Sequence, residues 1–191
     1  MTDGWAGANR CYTVGGRFKL KSMPDGPRYD DDFYAWTQYQ AEVLRSLRTR
    51  DNRFDRANVA EEMEDLGNSY RDAVRSQVRR ILVHFLKLSF SPARDPRFGW
   101  MGSIVDARAE VADKLSPSLR RDLDEVLARL YTAARKQTAL ELQEFGERAS
   151  AESLPAECPY TIDQILAEDW YPGMADSDYG AGSPSDRESR G

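Results

Sequence analysis

Residues 58–88 read NVAEEMEDLGNSYRDAVRSQVRRILVHFLKL, and the placing of their apolar side chains decides the fold. Val74, Val78, Ile81, Leu82, Phe85 and Leu88 recur at intervals of one, three and four, which is the stripe of an amphipathic helix. Ser69 can cap that helix at its start. Ahead of it, Val59, Met63 and Leu66 repeat at spacings of four and three behind a second cap candidate, Asp55. Gly67 and Asn68 both tolerate left-handed backbone angles, so the reading places a stop between the two stripes. The expectation is two helices folded back on each other as an antiparallel hairpin.

The same reading extends in both directions. Upstream, Asp30, Asp31 and Asp32 offer caps and negative charge where a helix dipole favours them. Phe33, Trp36, Val43, Leu44 and Leu47 then predict a helix ending near Thr49, before the charged turn Arg50-Asp51-Asn52-Arg53. Downstream, Pro92 and Pro96 mark a loop. Trp100 to Leu115 follows as a helix with Ile104, Val105, Val111 and Leu115 inward. Ser116-Pro117 is a cap with proline at the first helical position, which suits its fixed φ. Leu119, Leu123, Val126, Leu127, Leu130 and Ala134 carry a long helix toward Leu142. Thr161-Ile162-Asp163-Gln164 is a capping box opening a short helix to Glu168. No segment alternates as a half-buried strand does. The chain therefore reads as all-α, a single-domain bundle of about five to six helices.

Composition sets the limits. The chain has 191 residues, enough for one domain with a core. Asp, Glu, Lys and Arg make up 31% and mean hydropathy is -0.69. No apolar run approaches the ~20 residues of a bilayer span, and the N-terminus lacks the apolar stretch of a secretory signal. A cytoplasmic protein with no membrane association is expected. Residues 1–28 hold five glycines and two prolines without periodicity, and read as a flexible N-terminal extension. Residues 29–172 form the helical body, and residues 173–191, rich in Gly, Ser and Asp, read as a disordered C-terminal tail. Residues 45–97 carry twelve bases against eight acids, and residues 98–191 ten bases against eighteen acids. The central excess is too small to specify an anionic partner.

Few residues can support chemistry. His84 is the one histidine, so any triad must use it. Cys11 and Cys158 form no Cys-x-x-Cys pair or zinc spacing. The candidates for a catalytic or acid/base site are Glu61, Glu62, Asp65 and His84. Glu61 and Asp65 share a helix face, as do Glu62 and Asp65, and Glu62 flanks the apolar stripe. Helix-borne carboxylates hold di-metal centres when Glu-x-x-His motifs face them, and none occurs. The plainer reading pairs these acids with Arg71, Arg75 and Arg79 across the turn. In the predicted hairpin Glu62 and His84 sit ~16 Å apart along the axis, too far for one metal. His84 falls at the edge of its stripe beside Gln77, Ile81 and Leu88, where a boundary imidazole bonded to a carbonyl or carboxylate is expected.

Two further groups could carry chemistry. Arg45, Arg48, Arg50, Arg53 and Arg56 crowd the first loop and could contact phosphates. Asp51 and Asp55 interrupt them and no stacking platform accompanies them, which favours a paired, solvated surface. Cys158, just before a helix, could be a reactive thiol; Pro159 and Tyr160 favour a rigid entry instead. Trp36, Trp100, Trp170 and Tyr131 are expected to anchor helix contacts.

Several blocks then match a known pattern in order and spacing. They are Asp32-Phe33-Tyr34-Ala35-Trp36-Thr37, Asn58 to Gly67, Leu82-Val83-His84-Phe85-Leu86-Lys87, Pro117-Ser118-Leu119-Arg120 and Cys158 to Leu166. The chain resembles the domain of unknown function 29 family over about residues 29–172. The resemblance implies an all-helical fold and a bacterial source, and implies no activity or cofactor. Leu88 stands where that family often has Trp after the lysine. With no catalytic pattern assembled, the expected function is a non-enzymatic module that binds another protein or a second copy of itself. The alternatives are a carboxylate/histidine metal protein or hydrolase, and a nucleic-acid-associated protein acting through the arginine loop.

Overall fold

The structure, a computed structural model, describes residues 26–173. Most of the expected tails, with Cys11 and Trp5, lies outside them. Six helices follow in order among the described residues: α1 (Phe33–Ser46), α2 (Arg56–Phe90), α3 (Arg97–Ala112), α4 (Pro117–Glu144), α5 (Arg148–Glu152) and α6 (Ile162–Leu166). None of those residues is in a strand.

The hairpin expected at Gly67 does not form. α2 runs 35 residues without a break, about 52 Å of rod. Tolerance of left-handed angles does not demand them, and Gly67 is not among the positive-φ glycines, Gly146 and Gly173. Its role is close approach. A Cβ there would collide with the Thr37 hydroxyl and come within 2.7 Å of Gln38 Nε2. Thr37 and Ala41 on α1 meet Ala60 and Gly67 on α2, so the seam is made of small buried residues. The larger apolar residues of α1, expected inward, stand half-buried on one side of that seam, and Leu47 caps the helix and is exposed.

α1 lies antiparallel to the first half of α2. Gln38 donates to the Glu64 carbonyl at 3.2 Å, and Arg71 to the Tyr34 hydroxyl at 3.4 Å. The second half of α2 is the spine of the core. α3 runs antiparallel to it, with Gln77 donating to Glu110 at 2.6 Å and Arg97 to the Leu88 carbonyl at 3.0 Å. α4 runs parallel to it, through the ion pairs Arg75–Asp122 and Lys87–Glu141. Val74, Ile81, Phe85, Ile104, Leu123 and Ile165 are fully buried where these helices meet. The molecule therefore has two parts sharing one helix: a packed core, and a two-helix arm built from α1 and residues 56–70.

Caps set the boundaries. Asp55 accepts from Asn58 N at 3.2 Å, Ser116 from Leu119 N at 3.4 Å, and Thr161 closes the capping box with Gln164. Asp32 does more than cap α1. Its carboxylate accepts from Ala35 N at 3.0 Å, from Ser118 N at 2.8 Å and from the hydroxyls of Ser116 and Ser118 at 2.9 and 2.7 Å. One side chain thus serves the N-termini of α1 and α4. α3 starts and stops three residues earlier than expected, leaving room for the turn that presents Ser116. α5 had no periodic signal, and α6 ends at Leu166, short of Glu168.

Candidate functional site

The sequence-derived candidates do not converge. Glu61, Glu62 and Asp65 are all exposed on the arm, so flanking the apolar stripe does not bury Glu62. The Val59/Met63/Leu66 stripe it flanks does not face α1: Val59 is 38% and Leu66 50% exposed. Nor do these acids meet Arg71 and Arg75, because without a turn those residues lie farther along the same rod. Arg71 pairs with Asp72 and bonds Asn68, Arg75 pairs with Asp122, and Arg45 pairs with Glu64. His84 is 22 positions from Glu62 on the same uninterrupted helix, about 33 Å away at the ideal rise. No group of three or more His, Cys, Asp or Glu side chains able to hold a metal ion occurs among the described residues.

His84 lies in the core half of α2. Its expected carbonyl or carboxylate partner from the first helix is absent. Nδ1 is buried without a hydrogen bond. Burial, joined by the positive charges of Lys87 and Arg80 and opposed by Glu141, pushes the imidazole down to about 4. Beside it, the Lys87–Glu141 pair spans α2 and α4, with Lys87 Nζ 5.7 Å from the Trp100 ring centroid. Gln137 donates to Glu141 at 2.9 Å. At neutral pH the imidazole is uncharged beside a carboxylate already paired with Lys87.

Arg108 was not singled out from the sequence. It is 5% exposed and its guanidinium serves four carbonyls. They are Ile165 at 2.9 Å, Glu168 at 2.9 Å, Gln164 at 3.2 Å and Trp170 at 2.7 Å. It also stacks over Phe85 and Tyr171 at 5.4 and 5.1 Å. The fork satisfies carbonyls orphaned at the end of α6. The signal was present: Arg108 falls in the inward register Ile104, Arg108, Val111, Leu115, where a charged residue must find buried partners. Val105, expected there, is 53% exposed.

Cys158 is half-buried, its thiol donating to the Tyr160 carbonyl at 3.4 Å. Burial pushes the thiol pKa up against that bond, away from thiolate reactivity. Tyr160 packs on Phe85 and Trp170, and its hydroxyl lies 2.9 Å from that of Ser89. In the arginine loop, Arg53 is bidentate to Asp51 and Arg56 donates to the Leu47 carbonyl. Arg48 and Arg50 stand exposed.

The most unusual surface is the arm. On the 100° helical period, Phe33, Trp36 and Val43 of α1 and Val59, Met63 and Leu66 of α2 share one side of it. The ring contact of Phe33 with Tyr70, centroids 4.9 Å apart, places the two edges together. Tyr29 packs edge-on against Phe33 and Trp36 at 5.3 and 4.8 Å. The opposite side carries the polar set Gln38, Arg45, Glu64 and Arg71.

This architecture defines an all-helical protein with a core and a two-helix extension. The chain belongs to the family described as "Domain of unknown function DUF29", whose sequence model matches residues 28–171. It is also similar to the crystal structure of an alpha-helical protein of unknown function from Rhodospirillum rubrum. That likeness has 27% identity and a TM-score of 0.68, covering 76% of this chain and 93% of the other. No curated protein matches. No helix among the described residues is long and apolar enough to cross a membrane.

Proposed function

We propose that this chain is a non-enzymatic interaction module whose arm docks a helical partner through its apolar side. One observation carries the reading: in the Val59/Met63/Leu66 stripe, patterned like an inward face, Val59 and Leu66 stand 38% and 50% exposed and Met63 half-buried, with no helix among the described residues closing over them. Positions 59, 63, 66, 70, 73 and 77 follow the 4-3-4-3-4 spacing of a helix-pairing seam. α3 covers that line of α2 at Gln77, where Glu110 bonds it, and ends at Ala112; below it Tyr70 packs on Phe33, Met63 is half-buried, and Val59 and Leu66 are exposed. A contiguous apolar patch beside a polar opposite side marks a binding surface.

A photo-crosslinking residue placed at Leu66 in the living cell tests this. Leu140, 62% exposed on α4, is the control site. The expected result is a discrete protein adduct from position 66 and none from position 140. No adduct at 66, or the same adducts from both positions, overturns the proposal.

A further inference from the structure

The arm is self-complementary, and we infer that its partner is the arm of a second copy of this chain, docked antiparallel. The inference rests on the docking role proposed above and names the occupant.

Two helices with one apolar side are half of a four-helix bundle. A second identical pair, turned by a two-fold axis through the middle of that side, supplies the other half. It sets each apolar row against another at the short distances the seam spacing requires.

Charge sets the direction. At the tip, residues 48–53 carry three arginines and one aspartate, and Arg53 already holds that Asp51. Arg48 and Arg50 are exposed there. At the base, residues 28–32 carry one arginine and three aspartates. Asp32 is committed to its caps, whereas Asp30 and Asp31 are exposed, with Asp31 holding only the exposed Arg28 at 3.4 Å. An antiparallel pairing lays each arginine tip on the partner's aspartate base, twice per dimer. A parallel pairing sets like charge on like. The arm is about 21 Å long by the rise of the 14 residues of α1, beyond the Debye length at physiological salt. The two ends therefore act as separate poles.

The test is the solution mass of the full chain by analytical ultracentrifugation from 1 to about 500 μM, with four sets of substitutions. Wild type should dimerise, with weaker association at high salt. Leu66→Lys should be monomeric with unchanged helical circular dichroism, since Leu66 is half exposed and outside the core. Arg48→Glu with Arg50→Glu should weaken the dimer at least tenfold, as should Asp30→Lys with Asp31→Lys. All four together should restore it, because each reversed pole then faces a reversed partner. A wild-type chain monomeric throughout overturns the second copy as occupant, while a Leu66 adduct to a different protein would leave the docking role standing. A dimer that Leu66→Lys leaves intact places the interface elsewhere. Failure of the fourfold exchange to restore association overturns the antiparallel arrangement.

Discussion

His84 stands half-buried on α2 with its Nδ1 lacking a hydrogen bond. Its imidazole is neutral in the folded chain down to about 4, whereas an unperturbed histidine takes its proton near 6.5. Between those values the unfolded chain binds a proton that the folded chain refuses, so stability falls as pH drops from 6.5 toward 4 and levels off below. Asp32 acts lower. Burial opposes it, but the Ser118 hydroxyl and the amides of Ala35 and Ser118 hold its carboxyl below the usual range. Its contribution is lost only under more acidic conditions. Urea titrations between pH 4 and 7 should therefore show a slope that His84→Gln flattens. At pH 7, His84→Leu should leave stability unchanged or raise it by about 1 kcal/mol, because the substitution removes a buried nitrogen without a partner. Arg108 should behave in the opposite way. A lysine cannot reproduce a planar fork serving four carbonyls, so Arg108→Lys should cost about 2–4 kcal/mol in urea unfolding.

Among elements, α2 carries the main lesson about legibility. The stripe from Val74 to Leu88 is inward in the structure as in the sequence, because a deep core leaves one solution for a row of large apolar residues. Gly67 was misread because a glycine's sequence neighbours do not reveal whether it turns the chain or admits another helix. The arm was legible only in part. Its buried contacts are Thr37, Ala41, Ala60 and Gly67, residues too small to register as an apolar stripe, while Val59 and Leu66 registered and face out. Capping signals at Asp55, Ser116 and Thr161 transferred intact, since a cap is local chemistry. The double duty of Asp32 is tertiary and could not be read from spacing. Gly67→Ala decides what the glycine does. As a helix-interior change alone it should stabilise by ~1 kcal/mol. Pressed against Thr37 and Gln38, it should instead destabilise by about 2 kcal/mol or more and loosen α1 selectively, measurable by thermal unfolding and by exchange of α1 amides.

For the whole molecule, burial is unevenly shared. The large buried side chains belong to the core, whereas α1 buries only Thr37 and Ala41. Local stability should follow. In the Leu66→Lys variant, hydrogen exchange should open residues 33–70 well before residues 74–88, and the two sets should not merge into one cooperative unit. In a chain able to pair, the first set should slow as concentration rises while the second stays fixed. A single α-helix runs without interruption through both parts, with no proline, positive-φ residue or loop at the junction. Such a rod has no joint. If two chains are held at those ends, as proposed, their globular portions would keep a set span, as struts on a common beam.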